Sequence, residues 1–497
     1  MLEPIAVNLH TSEQQYLPCP ESSKQEIDIS VGRAAAAAIP FSLLNSHARA
    51  DFLEALARAL ELHRNTLIAL ANNETGLELP RLHSELDRTT FQLRRFSALL
   101  RDGVCEYASN DAAVSGAPPA SRPRLTKIRV PIGPVAMFSA SNFPFAFSVL
   151  GGDTASALAA GCPVVVKGHP GHPKLSRATI ILAEQVVREQ GLPPGVIQFV
   201  HGNSTDVGVM LVESDAIAAV AFTGSFRGGM ALAKVAGARA RPIPFYGELG
   251  SVNPLVVLPS ALEGNQAASL AEALANSICM GSGQFCTSPG VIVVGQDAQG
   301  DAFVHALASC LSALSPHGML STGIRAGFED GIRRWRSIAK LKVLVDSSNA
   351  RHPHPGPFLG EVTSIDFLED HRLHEEVFGS AALVVRVASV DEAAAVLNAI
   401  GGSLTVTLWG VPSGQDCPDG PTEHLVRTAQ AVAGRVLFSG VPTGVAVTRA
   451  QHHGGPFPAS TAPFTTSVGD DALDRFLRPL ALQDAPEWLL ARYRLHS

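Results

Sequence analysis

The chain has 497 residues, of which 46% are hydrophobic and 17% are charged, and its net charge is -7. This length exceeds what one hydrophobic core usually supports, so we expect two or more packed domains. The hydrophobic content excludes a disordered chain, and the negative charge excludes a general affinity for nucleic acid or for an anionic membrane surface.

The first predicted elements are helices. Hydrophobic residues recur at helical spacing from residue 34 to 73, and a further helix is expected at about 84–101. Residues 131–152 contain no charged residue, over about the length of a membrane span. Because Pro131, Pro134 and Pro144 interrupt this stretch, we interpret it as strand, loop and helix start, and expect no membrane segment.

From residue 134 onward, short runs of β-branched residues alternate with helical patterns. Strands are expected at 135–139, 163–167, 196–200 and 217–224, with helices at 147–161, 174–190, 205–213 and from about 226. A second series has helices near 265–278, 301–314 and 391–399 and strands at 291–294, 382–387, 404–409 and 435–440. This alternation predicts an α/β fold with parallel sheets, in which ligands bind beyond the carboxyl ends of the strands.

The seven cysteines form no CxxC pair and no Cys/His cluster with the spacing of a zinc site; they are Cys19, Cys105, Cys162, Cys279, Cys286, Cys310 and Cys417. The N-terminal segment MLEPIAVNLH lacks the pattern of a signal peptide. We therefore expect reduced thiols, no bound metal and a cytoplasmic location.

The sharpest candidate for chemistry is Cys286 in GSGQFCTSPG, residues 281–290. A cysteine in a glycine-rich turn between a helix and a strand has the access and the nearby N–H donors that a nucleophilic thiol needs. The alternative, a small buried hydrophobic residue, is favoured for Cys162 and Cys310.

Other candidate residues are ambiguous when each is taken alone. Asn142 in SASNFPFAF follows a strand and could stabilise an oxyanion, but Asn-Phe-Pro is more often an ordinary turn. Gly224 and Ser225 in FTGSFRGG could cradle a phosphate, although this is not a GxGxxG motif. Lys167 ends a strand and faces either the ligand crevice or solvent.

Two glutamates complete the candidate set. Glu248 lies in YGELGSVNP and Glu376 lies in HEEVFG. Either could be a solvated surface charge, which is the usual situation of a glutamate.

Together and in this order, these segments closely resemble the aldehyde dehydrogenase superfamily over roughly residues 30–485. The matching positions are Asn142 in NFP, Lys167 at its strand end, the FTGS turn, Glu248 in ELG, Cys286 in GQFCT and Glu376 in EEVFG. The resemblance implies that Cys286 attacks an aldehyde, while Asn142 and the Cys286 N–H hold the oxyanion. After hydride transfer leaves a thioester, Glu248 would be the general base for its hydrolysis, a role for which we expect a raised pKa.

The resemblance also implies a nicotinamide cofactor. Lys167 and Glu376 would bind its riboses, Ser225 and the amide of Gly224 its pyrophosphate, with Gly229 in the same turn, and Phe378 would pack against the nicotinamide. Many NAD-preferring relatives carry a glutamate three residues after the lysine, where this chain has Pro170. The missing anion favours NADP over NAD. A milder departure is Ser251, which follows ELG where a second glycine is usual.

Within the superfamily, SASNFPFAFS, KGHPGHP and TRAQHHGGPFPAST resemble the branch of 2-oxoglutarate semialdehyde (2,5-dioxopentanoate) dehydrogenases, which also includes long-chain fatty aldehyde enzymes. For the far end of a dicarboxylate-derived substrate, the candidates are Arg88, Gln92 and Arg95, which share one face of the helix at 84–101. The alternative is that they form a solvated polar stripe.

The implied architecture has a Rossmann-type NAD(P)-binding domain (1–117 and 133–247), an α/β catalytic domain (248–445) and a small β oligomerisation segment (118–132 and 446–497) that builds a homodimer or homotetramer. Three other functions compete with this interpretation. A CoA-acylating enzyme is disfavoured by Glu248, a silent binding protein on the same fold by Cys286 together with Glu248, and a simple Rossmann-type binder by Cys286 in its glycine-rich turn.

Overall fold

A computed structural model describes residues 21–264, 266–315, 318–347, 354–414 and 420–496. Cys19, Cys417 and the first twenty residues of the predicted cofactor domain lie outside the described residues. The chain forms two compact units, one comprising the residues up to Ala221, Val235–Pro244 and the chain from Phe476, and the other Phe222–Lys234 and Phe245–Arg475.

The α-helices of the described chain are α1 (Lys24–Ser42), α2 (Ser46–Leu62), α3 (Arg64–Thr75), α4 (Leu79–Arg101), α5 (Gly152–Ala160), α6 (Pro173–Glu189), α7 (Thr205–Glu213), α8 (Phe226–Ala238), α9 (Gln266–Cys279), α10 (Ala298–Ala313), α11 (Thr322–Arg336), α12 (Ser364–Glu369), α13 (Val390–Ile400), α14 (Gly420–Val432) and α15 (Glu487–Leu490). Among the helices in this part of the chain, none is long and apolar enough to cross a membrane.

The strands of the described chain are β1 (Tyr107–Asp111), β2 (Leu125–Pro131), β3 (Val135–Phe138), β4 (Val164–Lys167), β5 (Ile197–Val200), β6 (Ala219–Thr223), β7 (Phe245–Glu248), β8 (Leu255–Val257), β9 (Val291–Gly295), β10 (Lys342–Asp346), β11 (Phe358–Thr363), β12 (Ala381–Val387), β13 (Ser403–Trp409), β14 (Ala433–Leu437), β15 (Leu477–Gln483) and β16 (Arg494–His496).

The predicted helical region at 34–73 is three helices and begins earlier than expected. α1 starts at Lys24 because Ser23 and Glu26 form a capping box, in which each side chain binds the backbone N–H of the other residue. Asn45 then caps a new helix by accepting a hydrogen bond from the Ala48 N–H, so the region is interrupted before α2.

The first unit contains the predicted parallel sheet, in which β5, β4, β3 and β6 lie side by side in this order. Phe138 of β3 pairs with Lys167 of β4, so these two strands end at the same edge of the sheet. The helix predicted at 147–161 begins only at Gly152, because the residues before it form turns, in which the Ser148 N–H bonds to the Phe145 carbonyl oxygen and the Gly151 N–H to that of Ser148.

A second sheet of the first unit has the order β15-β2-β1-β16, with β2 antiparallel to both of its neighbours. The predicted oligomerisation segment at 118–132 contains β2, but β1 lies inside the segment assigned to the cofactor domain, and residues 446–475 belong to the second unit. The compact units divide at Ala221 and Pro244 rather than after residue 247. The assignment of separate functions to these segments stays a prediction.

The second unit is built on a seven-stranded sheet with the order β10-β11-β12-β9-β8-β13-β14. β12 and β13 are buried along their whole length, which explains why they are continuous apolar runs in the sequence. Sequence reasoning missed β8, which has three residues, and β10, whose first residues are exposed. The α/β fold class is confirmed.

Gly195 gives a test of how closely α1 packs in the first unit. A Cβ at this position would lie 1.9 Å from the backbone carbonyl oxygen of Arg33 in α1, whereas a Cβ at Gly237 in α8 would meet no heavy atom within 4 Å. We expect Gly195→Ala to lower the stability of the first unit by about 1–3 kcal/mol, seen as a lower midpoint of urea unfolding. Gly237→Ala is the matched control and should leave the midpoint unchanged or slightly higher; equal midpoints for the two variants would contradict this packing.

Candidate active site

Cys286 follows a turn with an unusual backbone conformation. After α9 ends at Cys279, the residues Gly281, Ser282 and Gly283 have φ angles of 55°, 61° and 67°. A Cβ at Gly283 would lie 2.2 Å from the carbonyl carbon of Gly379, so only glycine fits there. The glycine-rich turn around the predicted nucleophile is therefore required by backbone geometry.

The thiol of Cys286 lies beside a histidine that the sequence analysis did not select. Its Sγ is 3.6 Å from Nε2 of His453, and the Cys286 residue is half-buried while His453 is 1% exposed. Burial raises the pKa of the Cys286 thiol well above its ordinary value, and the negative charge of Glu248 raises this pKa further. The thiol therefore holds its proton strongly in this arrangement.

Glu248, the predicted base, completes a cluster with Cys286 and His453. His453 Nε2 lies 3.0 Å from Glu248 Oε1, and the hydroxyl of Ser467 donates to Glu248 Oε2. Burial raises the pKa of Glu248, but the charge of His453 and hydrogen bonds from His453 and Ser467 lower it more, so its pKa lies below the ordinary value. The expectation of a raised pKa was wrong, because it did not include His453.

Two neighbouring residues fix the position of His453. Its backbone N–H donates to Thr466 Oγ1, and its carbonyl oxygen accepts a hydrogen bond from the N–H of Ser467. The sequence signal was the pair His452-His453 in a glycine-rich loop, of which only His453 is fully buried. Sequence alone does not show which of the two histidines is buried, since they are adjacent in the same loop.

Asn253 is a second residue that sequence reasoning missed, and it positions the nucleophile. Its side-chain amide donates to the carbonyl oxygens of Cys286 at 2.8 Å and Ser288 at 3.0 Å. Its side-chain oxygen accepts hydrogen bonds from the N–H and hydroxyl of Thr405 in β13. Asn253 adopts a left-handed φ of 50°, which asparagine tolerates better than most residues. It ties the Cys286 loop to the sheet of the second unit.

The residues after Glu248 explain the departure at Ser251. The Ser251 hydroxyl donates to Asn253 Oδ1 and accepts from the Leu404 N–H, each at 2.8 Å. The Glu376 carboxylate accepts a hydrogen bond from the Ser251 backbone, and burial raises the pKa of Glu376 to about 7. A Cβ at Gly250 would lie 2.3 Å from Glu376 Oε2, so the first glycine of ELG leaves space for this carboxylate.

The predicted phosphate turn has a different set of bonds from the one expected. The N–H of Gly224 donates to the carbonyl oxygen of Glu248 at 3.1 Å, and Ser225 Oγ accepts from the Gly228 N–H. The N–H of Gly229 donates to the carbonyl oxygen of Ser225, the residue before α8, and a Cβ at Gly229 would lie 2.2 Å from Leu249 Cδ2. Gly229 therefore allows close packing of α8, and the anion-binding prediction depends mainly on Ser225 and the start of the helix.

In the first unit, α4 holds the segment that carries Asn142. Arg81 donates to the carbonyl oxygen of Asn142 at 2.5 Å, and Glu85 accepts the N–H groups of Phe145 at 2.7 Å and Ala146 at 3.0 Å. Asn142 is 9% exposed, and Glu85 is 4% exposed with a pKa that burial raises to about 7. The predicted oxyanion residue is thus held by its backbone, in a loop rather than directly before a helix.

The KGHPGHP segment supports the same loop. Lys167 donates to the Gly202 carbonyl oxygen at 2.6 Å, at the carboxyl edge of the sheet. His172 is 0% exposed and donates from Nε2 to the Ala140 carbonyl oxygen at 3.0 Å. Burial lowers the pKa of His172, so this ring is neutral at neutral pH.

The predicted substrate residues do not form a solvated stripe. Gln92 is 2% exposed, and Arg88 and Arg95 are half-buried. With Arg81 and Glu85 they follow a spacing of four, three, four and three residues, which places all five on one face of α4. The face that holds the Asn142 segment therefore also carries the two arginines.

Several relatives and solved structures resemble this chain. A model of the aldehyde dehydrogenase family matches residues 3–414. The chain is 42% identical to alpha-ketoglutaric semialdehyde dehydrogenase 2 of Azospirillum brasilense, over 89% of this chain and 84% of the relative. It is 38% identical to alpha-ketoglutaric semialdehyde dehydrogenase of Acinetobacter baylyi, over 95% of this chain and 88% of the relative.

Among solved structures, aldehyde dehydrogenase 21 from Physcomitrella patens, in complex with its product succinate, has a TM-score of 0.77 and 21% identity, covering 93% of this chain and 91% of that chain. This level of identity supports the fold alone. The family match and the two relatives confirm the resemblance found in the sequence: the chain belongs to the aldehyde dehydrogenase family.

Proposed function

We propose that this aldehyde dehydrogenase oxidises 2,5-dioxopentanoate to 2-oxoglutarate with NAD(P), through a thioester on Cys286. The observation that carries the reaction is the buried cluster of Cys286, His453 and Glu248. The substrate is suggested by the names of the two relatives at 38% and 42% identity.

The chemistry follows from the charges of this cluster. The S–H bond of Cys286 breaks and its proton passes to solvent as Sγ bonds to the aldehyde carbon, and the amide of Asn142 with the Cys286 N–H would stabilise the oxyanion. A bound oxidised nicotinamide would supply the acceptor for the hydride of this carbon. Water then adds to the thioester and Glu248 takes the water proton; the Cys286–carbon bond breaks to release the acid, and this proton returns to the sulfur. His453 keeps Glu248 ionised and ready to act as this base.

The residues predicted to bind the cofactor have suitable chemistry. Lys167 supplies an ammonium group at the carboxyl edge of a parallel sheet, and Ser225 precedes the first turn of α8. Glu376 and Phe378 line one cleft of the second unit together with Ser251 and Gly283. We propose NADP as the preferred cofactor, because Pro170 removes the anion that would repel a ribose 2′-phosphate.

The far end of the proposed substrate is a carboxylate, which needs a cation. Arg88 and Arg95 are half-buried on the α4 face that also holds the Asn142 segment. A guanidinium in such a position binds a carboxylate through two parallel hydrogen bonds, which contribute about 1.5–3 kcal/mol. A long-chain fatty aldehyde has no charge to offer these residues and is the second candidate substrate.

We also propose a cytoplasmic homodimer or homotetramer. The five described cysteines, at positions 105, 162, 279, 286 and 310, are all free thiols, as expected in a reducing compartment. The four-stranded sheet ends in the edge strands β15 and β16, whose backbones offer hydrogen bonds to another subunit.

Cys286→Ala tests the nucleophile. Removing the thiol should abolish dehydrogenase activity and leave nucleotide binding nearly unchanged, since the thiol makes the covalent bond but is not part of the proposed cofactor site. Activity is measured by absorbance of the reduced cofactor, and binding by fluorescence titration. Cys310→Ala, a half-buried cysteine of α10, is the control and should keep full activity. Residual turnover of Cys286→Ala within tenfold of the parent enzyme would disprove the role.

Glu248→Gln and Asn142→Ala separate the two chemical steps. Glu248→Gln should block hydrolysis, so that a burst of about one reduced cofactor per active site remains without steady turnover. Asn142→Ala should slow the burst itself by about 10²–10³-fold, because the oxyanion forms before the hydride leaves. Rapid mixing measures both. An equal loss of the burst in both variants would contradict this division of roles.

Arg95→Met tests the substrate. Loss of the guanidinium should raise KM for 2,5-dioxopentanoate by about tenfold or more, since 1.4 kcal/mol corresponds to one decade. KM for hexanal should not rise, because that aldehyde has no carboxylate. Arg101→Met, on the exposed end of the same helix, is the control. A higher KM for both substrates would indicate a folding defect, and an unchanged KM for both would favour an apolar aldehyde as the substrate.

A further inference from the structure

Three side chains of different chemistry converge in the second unit: the thiol of Cys286, the imidazole of His453 and the carboxylate of Glu248. Cys286 Sγ lies 3.6 Å from His453 Nε2, which lies 3.0 Å from Glu248 Oε1, and one ligand atom from each residue lies within 4.8 Å of the other two. Sulfur, imidazole nitrogen and carboxylate oxygen are the donors that Zn²⁺ prefers. No local sequence pattern indicates this set, because its three members are far apart along the chain.

The spacing of these donors suits a tetrahedral ion. Typical zinc bond lengths place a sulfur and a nitrogen ligand about 3.6 Å apart, and a nitrogen and an oxygen ligand about 3.4 Å apart. The distance from Cys286 Sγ to His453 Nε2 already equals that between a sulfur and a nitrogen ligand of zinc. The separation between His453 and Glu248 needs to widen by only about 0.4 Å to reach that of two zinc ligands.

The charges also balance. A thiolate and a carboxylate together carry two negative charges, which a divalent cation neutralises when His453 binds it as a neutral imidazole. The next charged groups that act on Cys286 are Glu376 and Arg435, which have opposite signs. A buried cation is stable only when it is paired in this way.

Neighbouring hydrogen bonds hold the three ligands in place. Ser467 orients the Glu248 carboxylate, Thr466 holds the backbone of His453, and Asn253 holds the carbonyl of Cys286. Such supporting contacts are typical of metal sites. Because Cys286 is only half-buried, an ion can reach the sulfur, and a water molecule can fill the fourth position.

We propose that Cys286, His453 and Glu248 form a binding site for Zn²⁺ and that bound Zn²⁺ reversibly inhibits the enzyme. On binding, the S–H bond of Cys286 and the Nε2–H bond of His453 break, their protons pass to solvent, and a zinc–sulfur and a zinc–nitrogen bond form with no change in oxidation state. The coordinated sulfur cannot attack an aldehyde, and the coordinated carboxylate cannot accept a proton. This inference does not depend on which aldehyde is the substrate.

The first test uses metal ions without substrate, on the untagged, chelator-treated enzyme. Zn²⁺ affinity is measured by competition with a chromophoric chelator, and Co²⁺ is used as a spectroscopic probe. We expect one ion per chain and a sulfur-to-cobalt charge-transfer band in the near ultraviolet. Cys286→Ala should remove the band, and His453→Gln should weaken Zn²⁺ binding by more than about tenfold.

The matched control is His452→Gln, which removes the adjacent imidazole outside the cluster and should leave affinity, stoichiometry and the cobalt band unchanged. The proposal is overturned if Co²⁺ gives no thiolate band. It is also overturned if His452→Gln and His453→Gln weaken binding equally, which would indicate adventitious binding by surface histidines.

A second measurement needs no variant and so does not depend on how a variant folds. Zn²⁺ should slow the alkylation of Cys286 by iodoacetamide, followed by peptide mass spectrometry, while the half-buried Cys310 reacts at an unchanged rate. Excess chelator should restore both the alkylation rate and the dehydrogenase activity. Inhibition by Zn²⁺ without protection of Cys286 would place the ion elsewhere and overturn the assignment.

Discussion

The second unit depends on one electrostatic constraint: the Glu248 carboxylate is 5% exposed and must be stabilised where water cannot solvate it. A buried charge without a partner costs several kcal/mol. His453 and Ser467 offset this cost by binding one carboxylate oxygen each. The loop at 453–467 therefore has to be closed by its own hydrogen bonds, from the His453 N–H to Thr466 and from the Ser467 N–H to His453, before the catalytic carboxylate can be ionised.

The same constraint explains why the nucleophile is attached so firmly. A thiol can be coupled to a buried carboxylate only if the distance between them is fixed. The left-handed turn before Cys286 is closed by a backbone hydrogen bond from Gln284 to Gly281, and Asn253 connects the carbonyls of Cys286 and Ser288 to Thr405 in β13. Ser251 adds a bond to the preceding residue of that strand, Leu404. An interior, fully buried strand thus sets the position of the reacting sulfur.

Sequence reasoning was accurate where local pattern decides structure. The strands from β3 to β6 and the apolar runs of β12 and β13 were predicted, since alternation and hydrophobicity are visible along the chain. Sequence reasoning failed where contacts between residues far apart in the chain determine the local structure or the site. The helix expected at 147 starts at Gly152, after a loop whose Phe145 and Ala146 N–H groups are bound by Glu85 on α4. His453 and Asn253 were missed because a buried histidine and a loop asparagine look ordinary until their partners, 167 and 33 residues away from them, are known.

The directions of the two pKa shifts have a mechanistic consequence. The pKa of Cys286 is raised by burial and by Glu248, while the pKa of Glu248 is lowered by His453 despite its burial. The resting cluster therefore carries its negative charge on the carboxylate and its proton on the sulfur. A second negative charge, on the sulfur, is costly while the neighbouring Glu248 carboxylate remains ionised.

Loss of the thiol proton becomes favourable only as the sulfur bonds to the aldehyde carbon and the negative charge moves to the oxyanion. The cluster is thus arranged to carry one negative charge at a time, which limits reaction of the thiol before an aldehyde is present and leaves Glu248 ionised for the hydrolytic step that follows.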